Sequence, residues 1–297
     1  MMYYDEKTEV FVDGQWLKAK DAKVSLFTQT LHYGTGVFDG LRSYNNGNGF
    51  NIFKPTQHFE RLKASTKKVY LELGYSTEEL IQLTYELLDR NKMTNAYIRP
   101  LVFAGPNMAL SPSKESRFFL TAWKWAKYPG KEPLNCMISS FLKPSPKSTI
   151  IDAKVIGNYS QATLASAEAK SLGYDEAILL DANGFVAEGP GANIFYEKDG
   201  QLFTPKTGNI LPGITRSTLM ELCQELNVDV IEKDITAEEL YKADLAFFCG
   251  TASEITRIHS INGEVFSKKW EESVGHNLHH IYQQKVMFDE YQGLTIV

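Results

Sequence analysis

The first pattern along the chain is a pair of short, largely apolar runs around a turn. Glu9-Val-Phe-Val12 and Gln15-Trp-Leu-Lys18 have strand composition and flank the tight-turn pair Asp13-Gly14, which predicts a hairpin. A helical period follows, with Phe59, Leu62, Thr66 and Val69 at i, i+3, i+7 and i+10 on one face. Ser76-Thr-Glu-Glu79 has the spacing of a capping box, in which each side chain satisfies the other's unpaired backbone N–H. It predicts a second helix carrying Leu80, Leu83, Leu87 and Leu88 on its apolar side. Ala96 to Ala104 and Arg117 to Trp125 read as largely buried strands.

Tyr128-Pro-Gly-Lys-Glu-Pro-Leu-Asn135 cannot continue a helix or a central strand and is the expected linker. After it, Gln161 to Leu172 predicts an alanine-rich helix stopped by Gly173. Short strands follow at Glu176–Leu180, Phe185–Glu188, Asn193–Tyr196 and Gln201–Phe203, separated by turn pairs such as Asn183-Gly184 and Asp199-Gly200. A helix leaves Leu211-Pro-Gly-Ile-Thr-Arg216 with Leu219, Leu222, Cys223 and Leu226 on its apolar face, and Thr236-Ala-Glu-Glu239 repeats the capping-box spacing. Leu245–Cys249 and Glu254–Ile261 read as strands flanking Gly250-Thr251. Hairpins mixed with helices, without regular strand–helix alternation, argue for an α+β fold.

At 297 residues the chain exceeds the size at which one core usually stops growing, so two domains are expected. The balance of 31 Lys+Arg against 36 Asp+Glu leaves no basic footprint for nucleic acid or an anionic membrane. No apolar run approaches the roughly 20 residues of a membrane span, and the N-terminus lacks a basic-then-apolar secretory pattern. Three cysteines without a Cys-x-x-Cys pair fit a reducing compartment, so a cytoplasmic location is expected.

Several familiar chemistries fail on spacing. Gly34-Thr-Gly36 followed by Gly40 is not a dinucleotide fingerprint. Ser111-Pro-Ser-Lys114 matches a nucleophile pair without its companion motifs. His276, His279 and His280 share a helix face, where a solvated surface is the default over a metal site. Three other features are more suggestive. The helix opening at Ile214 and Thr215 directs unpaired amides outward, a geometry suited to phosphate, with an ordinary cap as the default reading. Lys154 lies in an apolar segment, Ile151-Asp-Ala-Lys-Val-Ile-Gly-Asn-Tyr159, where its amine either loses water and becomes nucleophilic or reaches out to solvent. Glu188 ends a strand before a glycine-rich turn, as a ligand-facing or an exposed carboxylate.

In order and spacing, seven stretches together resemble the class IV, or fold type IV, pyridoxal-phosphate aminotransferases, and within them the branched-chain aminotransferases. They are Leu31 to Arg42, His58-Phe-Glu-Arg-Leu62, Ala96-Tyr-Ile-Arg-Pro100, Lys154 to Tyr159, Glu188-Gly-Pro-Gly-Ala-Asn193, Leu211 to Arg216 and Gly250 to Thr256. The resemblance implies a small N-terminal α/β domain at 1–127, an interdomain linker at 128–135, and a larger C-terminal domain at 136–297 that binds pyridoxal 5'-phosphate on a mixed, β-barrel-like sheet with helices. It implies that Lys154 forms the Schiff base and shuttles the proton. Arg61, Leu211, Gly213, Ile214, Thr215, Gly250 and Thr251 would hold the phosphate end, Tyr159 the phenolic oxygen, and Glu188 the ring nitrogen. Tyr97 with the Thr251 and Ala252 amides would hold the substrate's α-carboxylate. Arg99, with Tyr33 of the partner subunit, would meet the second carboxylate of glutamate or 2-oxoglutarate. Phe38, Gly40, Trp125 and Tyr128 would shape the side-chain pocket. The implied reaction is ping-pong transfer of the amino group of leucine, isoleucine or valine to 2-oxoglutarate by a homodimer with shared active sites.

Four features depart from the family's pattern. Asp39 stands where a glutamate is usual, and Val155-Ile156 replaces a small residue and a glycine. Pro190 and Ala192 alter the loop after Glu188, and Gly105 to Pro112 is only loosely similar. Alternatives within the fold are a D-amino-acid or (R)-amine aminotransferase or 4-amino-4-deoxychorismate lyase; outside catalysis, the alternative is a binding module that keeps the fold.

Overall fold

The computed structural model describes residues 3–125 and 132–288. The chain forms two compact units. One is drawn from the Met1–Ala126, Ala153–Gly157 and Lys285–Val297 stretches, the other from Lys127–Asp152 and Asn158–Gln284. The proline-rich stretch expected to be the linker lies partly outside the described residues, Tyr128 included.

The first unit is a seven-stranded sheet backed by helices. Its strands are β1 (Glu9–Val12), β2 (Gln15–Lys18), β3 (Gly36–Phe38), β4 (Leu41–Asn45), β5 (Phe50–Ile52), β6 (Ala96–Ala104) and β7 (Ser116–Lys124). Their order is β2-β1-β7-β6-β4-β5, with β3 also paired to β6. The β1–β2 hairpin turns on Asp13 and Gly14, both at positive φ, as its turn pair requires. Helices α1 (Gln29–Tyr33), α2 (Pro55–Lys68) and α3 (Thr77–Arg90) complete the unit. The capping box at Ser76 forms in full, with both reciprocal hydrogen bonds present. Phe59 and Leu62 of α2 and Leu80, Leu87 and Leu88 of α3 pack with Leu41, Ile98, Val102 and Leu120 of the sheet into one core.

The second unit carries a nine-stranded sheet in the order β10-β9-β8-β15-β14-β11-β12-β13, with β16 on β15. Its strands are β8 (Leu134–Ile138), β9 (Glu176–Leu180), β10 (Val186–Glu188), β11 (Asn193–Lys198), β12 (Gln201–Pro205), β13 (Val230–Lys233), β14 (Leu245–Gly250), β15 (Glu254–Ile261) and β16 (Glu264–Val265). Pairs β8–β9, β8–β15 and β12–β13 are parallel and the others antiparallel, which makes the sheet mixed. The helices are α4 (Tyr159–Ser171), α5 (Ile214–Glu225), α6 (Ala237–Tyr241) and α7 (Val274–Phe288), the last of which passes into the first unit at Lys285. The Thr236 capping box also forms in full. Leu226, expected on the apolar face of α5, is instead its C-cap and 43% exposed, because the helix ends one residue before it. No described helix is long and apolar enough to cross a membrane.

Contacts return Ala153–Gly157 to the first unit although this segment follows the linker in sequence. The reason is local pairing. Phe38 N donates to Lys154 O at 3.1 Å, Val155 bridges Val37, and Gly157 N donates to Gly34 O at 3.2 Å. Gly34 sits at φ +69°, and a Cβ on it would lie 2.7 Å from the Gly157 Cα, so the two backbones can meet only without side chains.

Candidate active site

In the first unit, chemistry gathers around Lys154. The residue as a whole is only partly buried, but its surroundings strip water from the amine, which lies 5.1 Å over the Phe38 ring. That desolvation, followed by the positive charge of Arg61, lowers its pKa to about 8, against a smaller opposing pull from Asp39. An amine of this kind gives up its proton far more readily than an ordinary lysine, as nucleophilic chemistry requires.

Arg61, on α2, gives Nε and Nη2 to the two oxygens of Asp39, each at 2.8 Å. His58, one turn earlier on α2, places Nδ1 2.7 Å from Asp39 Oδ1. Neither Asp39 nor His58 was a sequence candidate for the site. The His58-Phe-Glu-Arg61 spacing, which sets two polar residues on adjacent turns of a helix, was the available signal.

The lysine's other neighbours come from β6. Tyr97, buried, fills the space a side chain at Gly40 would need, and Arg99 Nη2 donates to the Tyr97 hydroxyl at 3.3 Å. The Arg99 guanidinium lies 4.4 Å over the Phe38 ring, and Trp125 stacks on Tyr97 with centroids 4.7 Å apart. Arg99 Nε is a buried donor without a partner, and so is Nε1 of Trp123, whose ring packs on Tyr97 at 5.0 Å. Two orphaned N–H groups on one aromatic face suit an incoming carboxylate. Trp123 was not anticipated from sequence. Tyr33, on α1, is 45% exposed and donates its hydroxyl to Met108 O.

In the second unit, Glu188 is the organising group. It is buried at the end of β10, forms an ion pair with Lys143, and accepts from Asn193 Nδ2 at 2.9 Å and from Leu211 N at 3.2 Å. Burial alone would lower the Lys143 pKa, but the Glu188 charge outweighs it and raises it. Asn193 also donates to Leu211 O at 3.0 Å, tying the Glu188 carboxylate to the loop that opens α5. A Cβ on Gly213 would fall 2.0 Å from Asn193 Oδ1, so only glycine permits this junction. With Gly213 as N-cap, no side chain caps α5, and the buried Ile214 and Thr215 stand in its first turn. Tyr159 starts α4, and its phenol contributes to the field on Lys143. Gly250, Thr251 and Ala252 form the turn after β14, and Gly250 lies against Gly191 and Ala192 of the loop following Glu188. Tyr128 lies outside the described residues.

The remaining motif places His276 and His280 with their Nε2 atoms 3.1 Å apart on α7. Among the described residues no group of three or more His, Cys, Asp or Glu side chains could hold a metal ion.

The first unit thus carries a desolvated lysine amid cationic and aromatic side chains, and the second a buried carboxylate beside a helix start that no side chain caps. The amino-transferase class IV family profile matches residues 36–261, and the chain belongs to this family. It is therefore a pyridoxal-phosphate-dependent transaminase of fold type IV. It is 39% identical over 262 residues to the branched-chain-amino-acid aminotransferase of Salmonella typhimurium, across 86% of this chain and 85% of that one. Among solved structures it is similar to the branched-chain aminotransferase of Thermoproteus uzoniensis with norvaline, at TM-score 0.91 and 36% identity over 95% and 96% of the two chains. It is also similar to the branched-chain amino acid aminotransferase of Thermobaculum terrenum in its PLP-bound holo-form, at TM-score 0.88 and 30% identity over 95% and 94% of the two chains.

The residues present fit pyridoxal phosphate on three counts. Lys154 offers an amine held back from protonation. Glu188 offers a carboxylate whose position is fixed by three donors. Helix α5 offers first-turn amides with no capping side chain, the arrangement that receives phosphate.

Proposed function

We propose that the protein transfers the amino group of branched-chain L-amino acids to 2-oxoglutarate, in a ping-pong reaction on pyridoxal 5'-phosphate carried by Lys154. The observation that carries this reading is the Lys154 amine, desolvated and beside Arg61, on the same unit as an aromatic face that bears Tyr97 and Arg99. When bound, the cofactor supplies an electron sink for the charge that develops at the substrate's Cα.

The chain's own residues supply the rest. Neutral Lys154 Nζ takes the proton from Cα and holds it for return. Glu188 keeps a negative charge opposite the ring nitrogen, and the Tyr159 hydroxyl hydrogen-bonds the phenolic oxygen. The Arg61 guanidinium, the Ile214 and Thr215 amides and the Thr251 hydroxyl hold phosphate, with Leu211, Gly213 and Gly250 shaping their loops. Tyr97 and the Thr251 and Ala252 amides orient the α-carboxylate. Arg99 meets the second carboxylate of glutamate or 2-oxoglutarate, an acceptor that suits its orphaned Nε. Phe38, Gly40, Trp125 and Tyr128 line the pocket for the aliphatic side chain. Such a pocket separates substrates differing by one methylene by only about 1–3 kcal/mol, so activities on leucine, isoleucine and valine should overlap.

A homodimer completes the reading. Leu26, Phe27, Leu31 and Leu110 of the first unit are 75%, 65%, 63% and 87% exposed around α1, a concentration of apolar surface that a second copy would cover while bringing in Tyr33. Light scattering should give twice the chain mass.

The function is tested by mixing the purified holoenzyme separately with L-leucine, D-alanine, an (R)-amine and 4-amino-4-deoxychorismate and following the cofactor's absorption. L-Leucine should discharge the colour and 2-oxoglutarate should restore it. Discharge by D-alanine or the (R)-amine alone would reassign the substrate, and pyruvate release from aminodeoxychorismate would reassign the reaction.

A further inference from the structure

Asp39 is wholly buried, and its carboxylate accepts four hydrogen bonds. These come from its neighbour Gly40 N and from His58 Nδ1 at 2.7 Å, and from Arg61 Nε and Nη2 at 2.8 Å each. A buried carboxylate is tolerable only when its lone pairs are filled and its charge is answered, and both conditions hold here. Burial pushes the Asp39 pKa up, but Arg61 and then His58 outweigh it, so the group stays well below the usual carboxylate range. Facing an anion, His58 Nδ1 must carry the hydrogen. Burial keeps this imidazole from charging, so it acts as a neutral donor and not as a salt-bridge partner.

The groups whose charge reaches Lys154 come from three places: Arg61 on α2, Tyr97 and Arg99 on β6, and Asp39 in the turn between β3 and β4. His58, on α2, is itself affected by Lys154. Asp39 is the single carboxylate in this set, set against two guanidinium groups and the amine.

Building on the roles of Lys154 and Arg61 given above, we propose that Asp39 and His58 are positioning residues of this site. The Asp39 carboxylate fixes the plane in which the Arg61 guanidinium meets phosphate, and its negative charge offsets part of the cationic field at Lys154. His58 locks that carboxylate in place.

The test uses full-length holoenzyme with two readouts besides turnover: the dissociation constant of the cofactor, by dialysis and protein fluorescence, and the pH midpoint of its visible absorption change. Asp39→Asn replaces an acceptor oxygen by an N–H₂ group that confronts donors. It should weaken cofactor binding by about 10- to 100-fold and lower the midpoint by about one pH unit. Asp39→Glu retains the charge and should restore the midpoint. His58→Asn, whose amide can donate in place of Nδ1, should keep the midpoint and bind cofactor more tightly than His58→Leu. An Asp39→Asn enzyme with unchanged affinity and midpoint overturns the proposal, as does an Asp39→Glu midpoint as low as that of Asp39→Asn. Should Asp39→Asn not fold, His58→Leu against His58→Asn decides: equal affinities overturn the proposal. If borohydride trapping of the wild-type enzyme places the cofactor on a lysine other than 154, the parent reading fails and this one falls with it.

Discussion

The two units treat charge in opposite ways. Around Lys154, loss of water and then the positive charge of Arg61 outweigh the pull of Asp39 and lower the amine's pKa to about 8. Around Glu188, one carboxylate gathers three donors, and its partner Lys143 is driven the other way, toward firmer protonation. Desolvation beside a cation loosens an amine's hold on its proton, whereas a buried carboxylate at contact distance tightens it.

The comparison breaks most completely at the lysine. Lys154→Ala should lower turnover by at least about 10³-fold; steady-state assay and peptide mass spectrometry after borohydride, which should find no phosphopyridoxyl adduct at position 154, check it together. On the other side, Glu188→Gln keeps the shape and removes the fixed charge. It should lower kcat by about 10²- to 10³-fold with a smaller change in KM, measured by stopped-flow half-reactions alongside a melting curve that shows a folded protein.

The pH dependence sharpens the contrast further. An unfolded lysine titrates near its ordinary 10.5, and the folded Lys154 near 8. Between those values the unfolded chain holds a proton that the folded chain has released, so stability should rise with pH from about 8 to 10.5 and be flat below 8. The gain across that window should be roughly 3 kcal/mol relative to Lys154→Met, read from urea denaturation of the cofactor-free proteins. The smallest effect is steric. Gly213→Ala drives a methyl into Asn193 Oδ1 and should cost about 1–3 kcal/mol of stability, seen as a lower urea midpoint.

Local features of this molecule were legible in the sequence because their causes are local. Both capping boxes, the Asp13-Gly14 hairpin and the strand Glu254–Ile261 are each set by a few adjacent residues, and each forms as its pattern implies. Lys154 stood out because an apolar neighbourhood already foreshadows desolvation. What escaped notice depends on folding to bring distant residues together. Asp39 meets His58 and Arg61 about twenty residues later, Lys143 meets Glu188 across a helix and two strands, and the orphaned N–H of Trp123 is defined by what surrounds it. The fate of Leu226 turned on a single residue at a helix end, where periodicity has no resolving power.

The pairing of Ala153–Gly157 with strand β3 has a consequence for how the enzyme can be made. A ribosome that has finished the other strands of the first sheet has not yet translated Lys154, because that residue arrives only after the proline-rich passage and β8. Pairing of the 153–157 segment with β3 is thereby deferred until just over half of the 297 residues have been made. A gene split after position 125 would yield a first product without this segment, which only the second product could restore in trans.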